Sequence, residues 1–153
     1  FLMALAGWEA LMWAGRVVTR GRLFRDAQEA ARRRGKPLLV VGCPVGATPG
    51  LSFFYHPCGD TTVDVADCPQ CPNSVKVNVS AMPQFSDKQF GAAFVGYVLE
   101  YTDQPDLALE EIKRVADEVF VAHVQPTSLI GFVLPGLRHR ILDAPPSGAL
   151  RFA

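Results

Sequence analysis

Chemistry in this chain is first suggested by a glycine-bearing loop that follows a short apolar segment. Residues 37–42 form that segment, which is partly β-branched, and Gly42 and Gly46 belong to the loop. Glycine lets backbone approach a ligand closely because it has no Cβ. A buried strand that ends in such a loop is a common site for nucleotide-like ligands in α/β proteins. The loop is therefore the first candidate binding site, although any tight strand-to-helix turn also needs such glycines.

Cysteines and a histidine form a second candidate site. His56 and Cys58 precede Cys68 and Cys71, and the last two have the spacing of a zinc-finger pair. One imidazole and three thiolates would make a tetrahedral zinc set that braces the domain. A redox-active or disulfide pair, or ordinary loop and core cysteines, are the alternatives. Counted together with Cys43, four cysteines do not indicate an extracellular disulfide framework, so we expect a reducing, cytoplasmic-type compartment.

The other histidines carry weaker signals. His123 falls at the end of a predicted strand, where a catalytic base could lie, but its position favours a half-buried structural histidine. His139 lies between two arginines, in a small basic patch that is typical of solvated surface. We expect no nucleic-acid partner, because the region after residue 36 is acidic and lacks interleaved basic and aromatic residues.

The first 22 residues differ from the rest in charge and hydropathy. The run FLMALAGWEALMWAG has one charged residue, Glu9, and arginines follow at positions 16, 20, 22 and 25. Residues 1–36 contain eight basic and three acidic residues, against seven and twelve in the remainder. Fifteen helical residues extend roughly 22 Å, less than the ~30 Å hydrocarbon core. We predict an apolar helix over residues 1–22 that anchors the protein to a membrane surface or bilayer, making it membrane-associated. Packing on its own domain or on a partner protein is the alternative.

After this segment, predicted helices alternate with strands. Helices are expected at residues 23–34 and 48–55 and from Asp103 and Pro105 onward, and strands at 37–42, 61–66, 74–79, 90–96 and 118–124. This alternation predicts a doubly wound, mostly parallel α/β sheet of Rossmann type over residues 23–125, with ligands at the C-terminal strand ends. Residues 126–153 are rich in proline and glycine, which predicts a loop-rich tail and a sheet shortened at its C-terminus.

Three stretches of the chain resemble class I S-adenosylmethionine-dependent methyltransferases, specifically the type 11 group. They are LLVVGCPVGAT, EVFVAHV and, between them, VKVNVSAMPQFSDKQFGAAFVGYVLEYTDQPDLALEEIKRV. The middle stretch is the most specific, because the family has D-A-x-x-L-P-F, F-D-x-V, V-L-E-H and E-I-x-R-V elements in this order. The resemblance covers roughly residues 25–125 and implies a methyltransferase-like fold.

The resemblance also implies cofactor-binding residues. Gly42 and Gly46 match glycines that approach the methionyl part of S-adenosylmethionine. Asp64 matches the acid that holds the ribose hydroxyls, and Asn78 replaces an aspartate that binds the adenine amine. The Asn78 carbonyl could still accept that bond. As structural alternatives, Asp64 is an ordinary strand-end acid and Asn78 a turn residue.

Several positions depart from the family pattern. Val40 replaces the acid of the first strand, Pro44 the central glycine, Gly91 the F-D aspartate and Tyr101 the histidine of L-E-H. Loss of the acid alone removes a contact of about 1.5–3 kcal/mol.

We therefore predict a degenerate methyltransferase-like pseudoenzyme with no catalytic residues, in which S-adenosylmethionine binding is weak or lost. Its role would be that of a membrane-associated structural subunit in a larger assembly, with protein partners. An active methyltransferase on a small or lipidic acceptor and a zinc-braced interaction module are the alternatives.

Overall fold

The computed structural model describes residues 2–44, 56–124, 127, 138–139, 141–143 and 151–152. The predicted helix over 48–55 and most of the tail lie outside these residues. The elements in chain order are α1 (Leu2–Arg34), β1 (Leu38–Val41), β2 (Thr61–Asp64), β3 (Ser74–Lys76), β4 (Phe90–Gly96), α2 (Pro105–Val115), β5 (Ala116–Ala122), β6 (Ile141–Asp143) and β7 (Arg151–Phe152).

Five strands form one parallel sheet in the order β3-β2-β1-β4-β5. Strand β1 lies at the centre, where Val41 is in register with Val63 of β2 and Val95 of β4. All four residues of β1 are buried, as expected for a strand covered on both faces. The predicted doubly wound parallel sheet is confirmed. The order reverses beside β1, and clefts of α/β sheets form at such a switch point.

The two helices cover opposite faces of the sheet. Leu38 and Val40 pack with Phe24 and the alanines of α1, whereas Leu39 and Val41 pack with α2 residues such as Ile112. This division follows from the alternation of side chains along a strand. The core therefore has two halves separated by the sheet.

Helix α1 is continuous from Leu2 to Arg34, so residue 22 marks no break in the helix. Its C-terminal half packs through Phe24, Ala27, Ala30 and Ala31, each at most 4% exposed. Small side chains there let the helix axis approach the sheet closely. Across the described residues, no helix is both long and apolar enough to cross a membrane.

Some element boundaries differ from the prediction. Strand β5 begins at Ala116, directly after α2, because Ala116 already has extended backbone angles. Strand β3 ends at Lys76, three residues early. In the tail, β6 and β7 form an antiparallel pair that the proline and glycine content did not predict.

Candidate functional site

A cleft of about 560 Å³ opens at the C-terminal ends of β1, β2 and β4. Gly42, Asp64 and Asn78 all line it, although 36 residues separate the first from the last. Valines 65, 77 and 79 provide apolar walls beside these polar groups. The structure thus brings three of the four predicted cofactor-binding residues together. The fourth, Gly46, lies outside the described residues.

Gly42 is a position that only glycine suits. Its φ is +101°, and a Cβ there would lie 2.8 Å from Val98 Cγ2 and 2.9 Å from the Gly96 carbonyl oxygen. Its N–H donates to the Val63 carbonyl at 2.9 Å, which continues the bonding between β1 and β2 past the strand end. Glycine is therefore required by packing between two strand ends, whatever the cleft binds.

Asp64 closes the cleft at the end of β2. One carboxylate oxygen, Oδ2, accepts the backbone N–H of Cys43 at 2.6 Å, and Oδ1 accepts that of Ala66 at 2.9 Å. The half-buried side chain is thereby fixed in position. A carboxylate oxygen has two lone pairs, so each oxygen keeps one acceptor site for a ligand hydroxyl.

Asn78 organises the turn that follows β3. Its Oδ1 accepts the Ser80 N–H at 3.0 Å, and its carbonyl accepts the Ala81 N–H at the same distance. This is the structural alternative considered for asparagine at a strand end. The side chain is exposed towards the cleft, and its Oδ1 retains one lone pair, so a structural role and a ligand contact are compatible.

The four cysteines form two disulfides, Cys43–Cys68 and Cys58–Cys71. This pairing corrects the predicted zinc set of His56, Cys58, Cys68 and Cys71, because disulfide sulfurs offer no thiolate to a metal. Within the described ranges, no group of three or more potential ligand residues is close enough to hold a metal ion. The bond from Cys43 joins the loop after β1 to the segment after β2, beside the cleft.

A sequence model of the family described as "Methyltransferase domain" matches residues 59–118. The matched segment contains β2 to α2 and the first residues of β5. Its strands take their places around β1 in the order of a doubly wound sheet. The fold resembles that of class I methyltransferases.

Two solved structures are similar to the chain. One is the 4+2 cyclase SpnF, with 20% identity and a TM-score of 0.46 over 80% of this chain. The chain spans only 57% of that protein. The other is a Burkholderia thailandensis 1,6-didemethyltoxoflavin-N1-methyltransferase with S-adenosylhomocysteine bound, with 14% identity and a TM-score of 0.41, over 96% of this chain and 86% of that chain. No curated protein matches.

Two departures from the methyltransferase pattern lie on the sheet face that α1 covers. Val40 is fully buried in the cluster with Phe24. A Cβ on Gly91 would lie 2.9 Å from Ala31 Cα of α1, so the aspartate found in the family would collide with the helix backbone. Close packing of α1 thus accounts for Gly91, and the apolar side chain of Val40 suits the same interface.

Pro44 is also buried, and its carbonyl accepts a hydrogen bond from Gln70 Nε2 at 2.6 Å. This bond, together with the Cys43–Cys68 disulfide, ties the loop after β1 to the segment after β2. The Gln70 side chain and the disulfide therefore hold the loop in place. Proline at this position also removes the backbone N–H that a glycine would offer to a ligand.

His56 is buried and does not line the cleft. Its ring packs against Phe24 and Phe94, which also contact each other, and Nδ1 donates to the Pro57 carbonyl at 3.0 Å. Burial lowers the pKa of the imidazole. A Cβ on Gly96 would come within 2.6 Å of His56 Nε2, so glycine makes room for the ring. His123 is half-buried, and its Nδ1 lies 3.1 Å from the Val124 carbonyl.

Glu100 is a buried acid next to the strand ends, and sequence alone did not indicate its burial. It is 1% exposed, and its Oε1 accepts the Val124 N–H at 2.7 Å, which connects the ends of β4 and β5. Its Oε2 has no hydrogen-bond partner in the described part of the chain. Burial raises the pKa of the carboxyl.

Tyr97 was missed as a lining residue of the cleft. It follows β4 with a φ of +55°, a left-handed conformation that is uncommon outside glycine. Burial raises the pKa of its hydroxyl, and the positive charges of Arg20 and Arg16 on α1 partly offset this shift. Its position directly after a strand was the available signal, since such positions reach the ligand edge of a parallel sheet.

Proposed function

We propose that this protein binds S-adenosylmethionine through the adenosine half of the cofactor and is a degenerate, non-catalytic member of its fold class. The observation that carries the proposal is the open cleft in which Gly42, Asp64 and Asn78 meet. Its volume accommodates a nucleoside, and ligand pockets commonly measure about 300–1,000 Å³.

The described residues fit the nucleoside half of the cofactor. The free lone pairs of Asp64 suit the two ribose hydroxyls, and the valine walls suit an adenine ring. The side-chain oxygen of Asn78, Oδ1, can accept a hydrogen bond from the adenine amine. When bound, the cofactor supplies an electrophilic methyl group, and the chain's own residues would only position it.

The amino-acid half of the cofactor has weaker support. Val40 has no carboxylate, and its side chain lies on the α1 face, away from the cleft. An ammonium group therefore receives no charge-assisted contact at this position. This difference favours a binding protein over a methyltransferase that needs the cofactor held at both ends.

Calorimetric titration with S-adenosylmethionine and with adenosine tests the proposal. We expect the dissociation constants of the two ligands to lie within about threefold of each other. An ionic contact to the ammonium, if it were present, would make S-adenosylmethionine bind about ten- to a hundredfold more tightly than adenosine. The variant Asp64→Asn should weaken both about tenfold. Asp67→Asn, which changes a neighbouring exposed acid paired with Lys76, is the matched control and should bind as the parent does.

Two outcomes would contradict the proposal. Absence of nucleoside binding by the folded protein would remove the cofactor role altogether. Binding of S-adenosylmethionine about a hundredfold tighter than adenosine, together with transfer of a labelled methyl group to a lipid or small acceptor, would establish the active enzyme instead.

A further inference from the structure

The N-terminal half of α1 has an inverted distribution of charge and apolar surface. Helical periodicity places Met3, Gly7, Leu11, Ala14 and Val18 on one face, which we call the outer stripe. All five are exposed, and Met3, Leu11 and Val18 keep 89%, 62% and 70% of their surface accessible. A helix that packs on a soluble domain normally turns such residues inward.

The charged residues of this half face the protein instead. The side chains of Glu9 and Arg16 are 15% and 13% exposed and form an ion pair of 3.9 Å. Arg20 is 9% exposed and hydrogen-bonds Tyr97. The polar face of this half of the helix therefore lies against the domain, while the apolar face has water as its neighbour.

The outer stripe continues into basic residues. The next positions on the same face are Arg22 and Arg25, both exposed. The Arg22 side chain is 78% exposed and faces Asp26 at 4.0 Å, a surface pair that holds it only weakly. Trp8, 43% exposed, lies beside the stripe, and its indole N–H donates to the Thr127 carbonyl at 3.2 Å. Apolar residues next to arginines and tryptophans are typical of helices that lie in a membrane interface.

We propose that the outer stripe docks on an anionic lipid surface, with Arg22 and Arg25 against the headgroups. Charge favours this occupant over a second copy of the chain packed in parallel. A parallel pair through the stripe would set Arg22 and Arg25 against the same residues of the other copy. Headgroup phosphates instead attract both guanidinium groups, and the stripe enters the boundary between headgroups and acyl chains. This inference stands independently of cofactor binding.

Vesicle flotation of the full chain tests the proposal with two lipid compositions, phosphatidylcholine alone and phosphatidylcholine mixed with phosphatidylglycerol. We expect tighter binding to the mixed vesicles and weaker binding as salt is added. The double variant Leu11→Asp and Val18→Asp should lose at least about tenfold on both compositions. The double variant Arg22→Gln and Arg25→Gln should lose about thirtyfold on mixed vesicles only.

The variant Leu107→Asp is the matched control, since Leu107 is an exposed leucine on α2 and is 46% accessible. It should bind vesicles as the parent does. Equal flotation of all variants, or equal binding to both compositions, overturns the proposal. Absence of vesicle binding also overturns it. If the parent is then a dimer, and the double variant Leu11→Asp and Val18→Asp is a monomer, the stripe binds a second copy of the chain instead.

Discussion

Glu100 is a carboxyl group in an unusual, buried environment. It is buried between the ends of β4 and β5, and one of its two oxygens accepts the backbone N–H of Val124. Burial disfavours the charged form, which raises the pKa in the folded state. The unfolded chain then releases this proton at lower pH than the native protein does, so the two states bind different numbers of protons above the ordinary glutamate range.

We expect Glu100 to make stability fall with rising pH. Its contribution is fully present below the unfolded pKa of 4.5 and is lost as pH rises through the higher folded pKa. Glu100→Gln cannot ionise and keeps an acceptor for Val124, so its melting temperature should rise relative to the parent as pH increases above 4.5. Thermal melts of both proteins across this range provide the measurement, and parallel curves would contradict the expectation.

His56 has the opposite effect on the pH dependence of stability, in the parent and in Glu100→Gln alike. Its lowered pKa favours the neutral ring in the folded state. Its contribution is present above the unfolded pKa of 6.5 and is lost as pH falls through the folded value. Because both proteins retain His56, the difference between them isolates the Glu100 effect.

At the scale of elements, α2 does more than cover the sheet. Arg114, in its last turn, donates to the carbonyl oxygens of Met82 and Phe85 at 3.1 and 3.0 Å and to Asp87 at 2.6 Å. Glu111 accepts the Met82 N–H at 2.8 Å and also pairs with Arg114. The E-I-x-R-V element therefore holds the segment from Met82 to Asp87 against the helix. Bonding to Arg114 lowers the pKa of Glu111.

Arg114→Lys should lower the melting temperature by roughly 2–4 °C, even though it retains the positive charge. Lysine cannot span several carbonyls with the planar fork that arginine provides. Differential scanning calorimetry measures the change, and Arg33→Lys, an exposed position of α1, serves as the control. If both variants melt with the parent, the contacts of Arg114 contribute nothing measurable.

At the scale of the whole molecule, the two proposed binding regions lie on different parts of the domain. The proposed cofactor cleft lies at the C-terminal edge of the sheet, and the outer stripe lies on the solvent side of α1. The Cys43–Cys68 disulfide is a long-range link at the cleft, because it joins segments 25 residues apart that flank Gly42 and Asp64.

Removing this link with Cys43→Ser and Cys68→Ser should lower the free energy of unfolding by about 2–4 kcal/mol, since the unfolded chain gains freedom. It should also weaken nucleoside binding, because the Cys43 N–H then no longer keeps the Asp64 carboxylate in place. Urea unfolding and calorimetric titration measure the two effects. The pair Cys58→Ser and Cys71→Ser is the control and should reduce stability with unchanged nucleoside affinity. Equal nucleoside affinity in the two double variants would contradict the proposal that the Cys43–Cys68 disulfide positions Asp64.

The sequence by itself determined the parallel α/β class and most elements of the central sheet. Strand β4 has the predicted bounds, since a continuous apolar run with a glycine end identifies a buried parallel strand. The meeting of Gly42, Asp64 and Asn78 also followed from sequence, because the carboxyl ends of neighbouring parallel strands share one edge. Their role as ligand-binding residues remains a prediction.

Only the tertiary structure decided which face of each element meets which neighbour. Pairing of Cys43 with Cys68 depends on distances between loops that sequence spacing does not encode. The inward direction of Glu9 and Arg16, and the burial of Glu100, likewise depend on how α1 and the strand ends pack. Periodicity identifies the faces of a helix, but the free energy of packing against the rest of the chain selects the face that is buried.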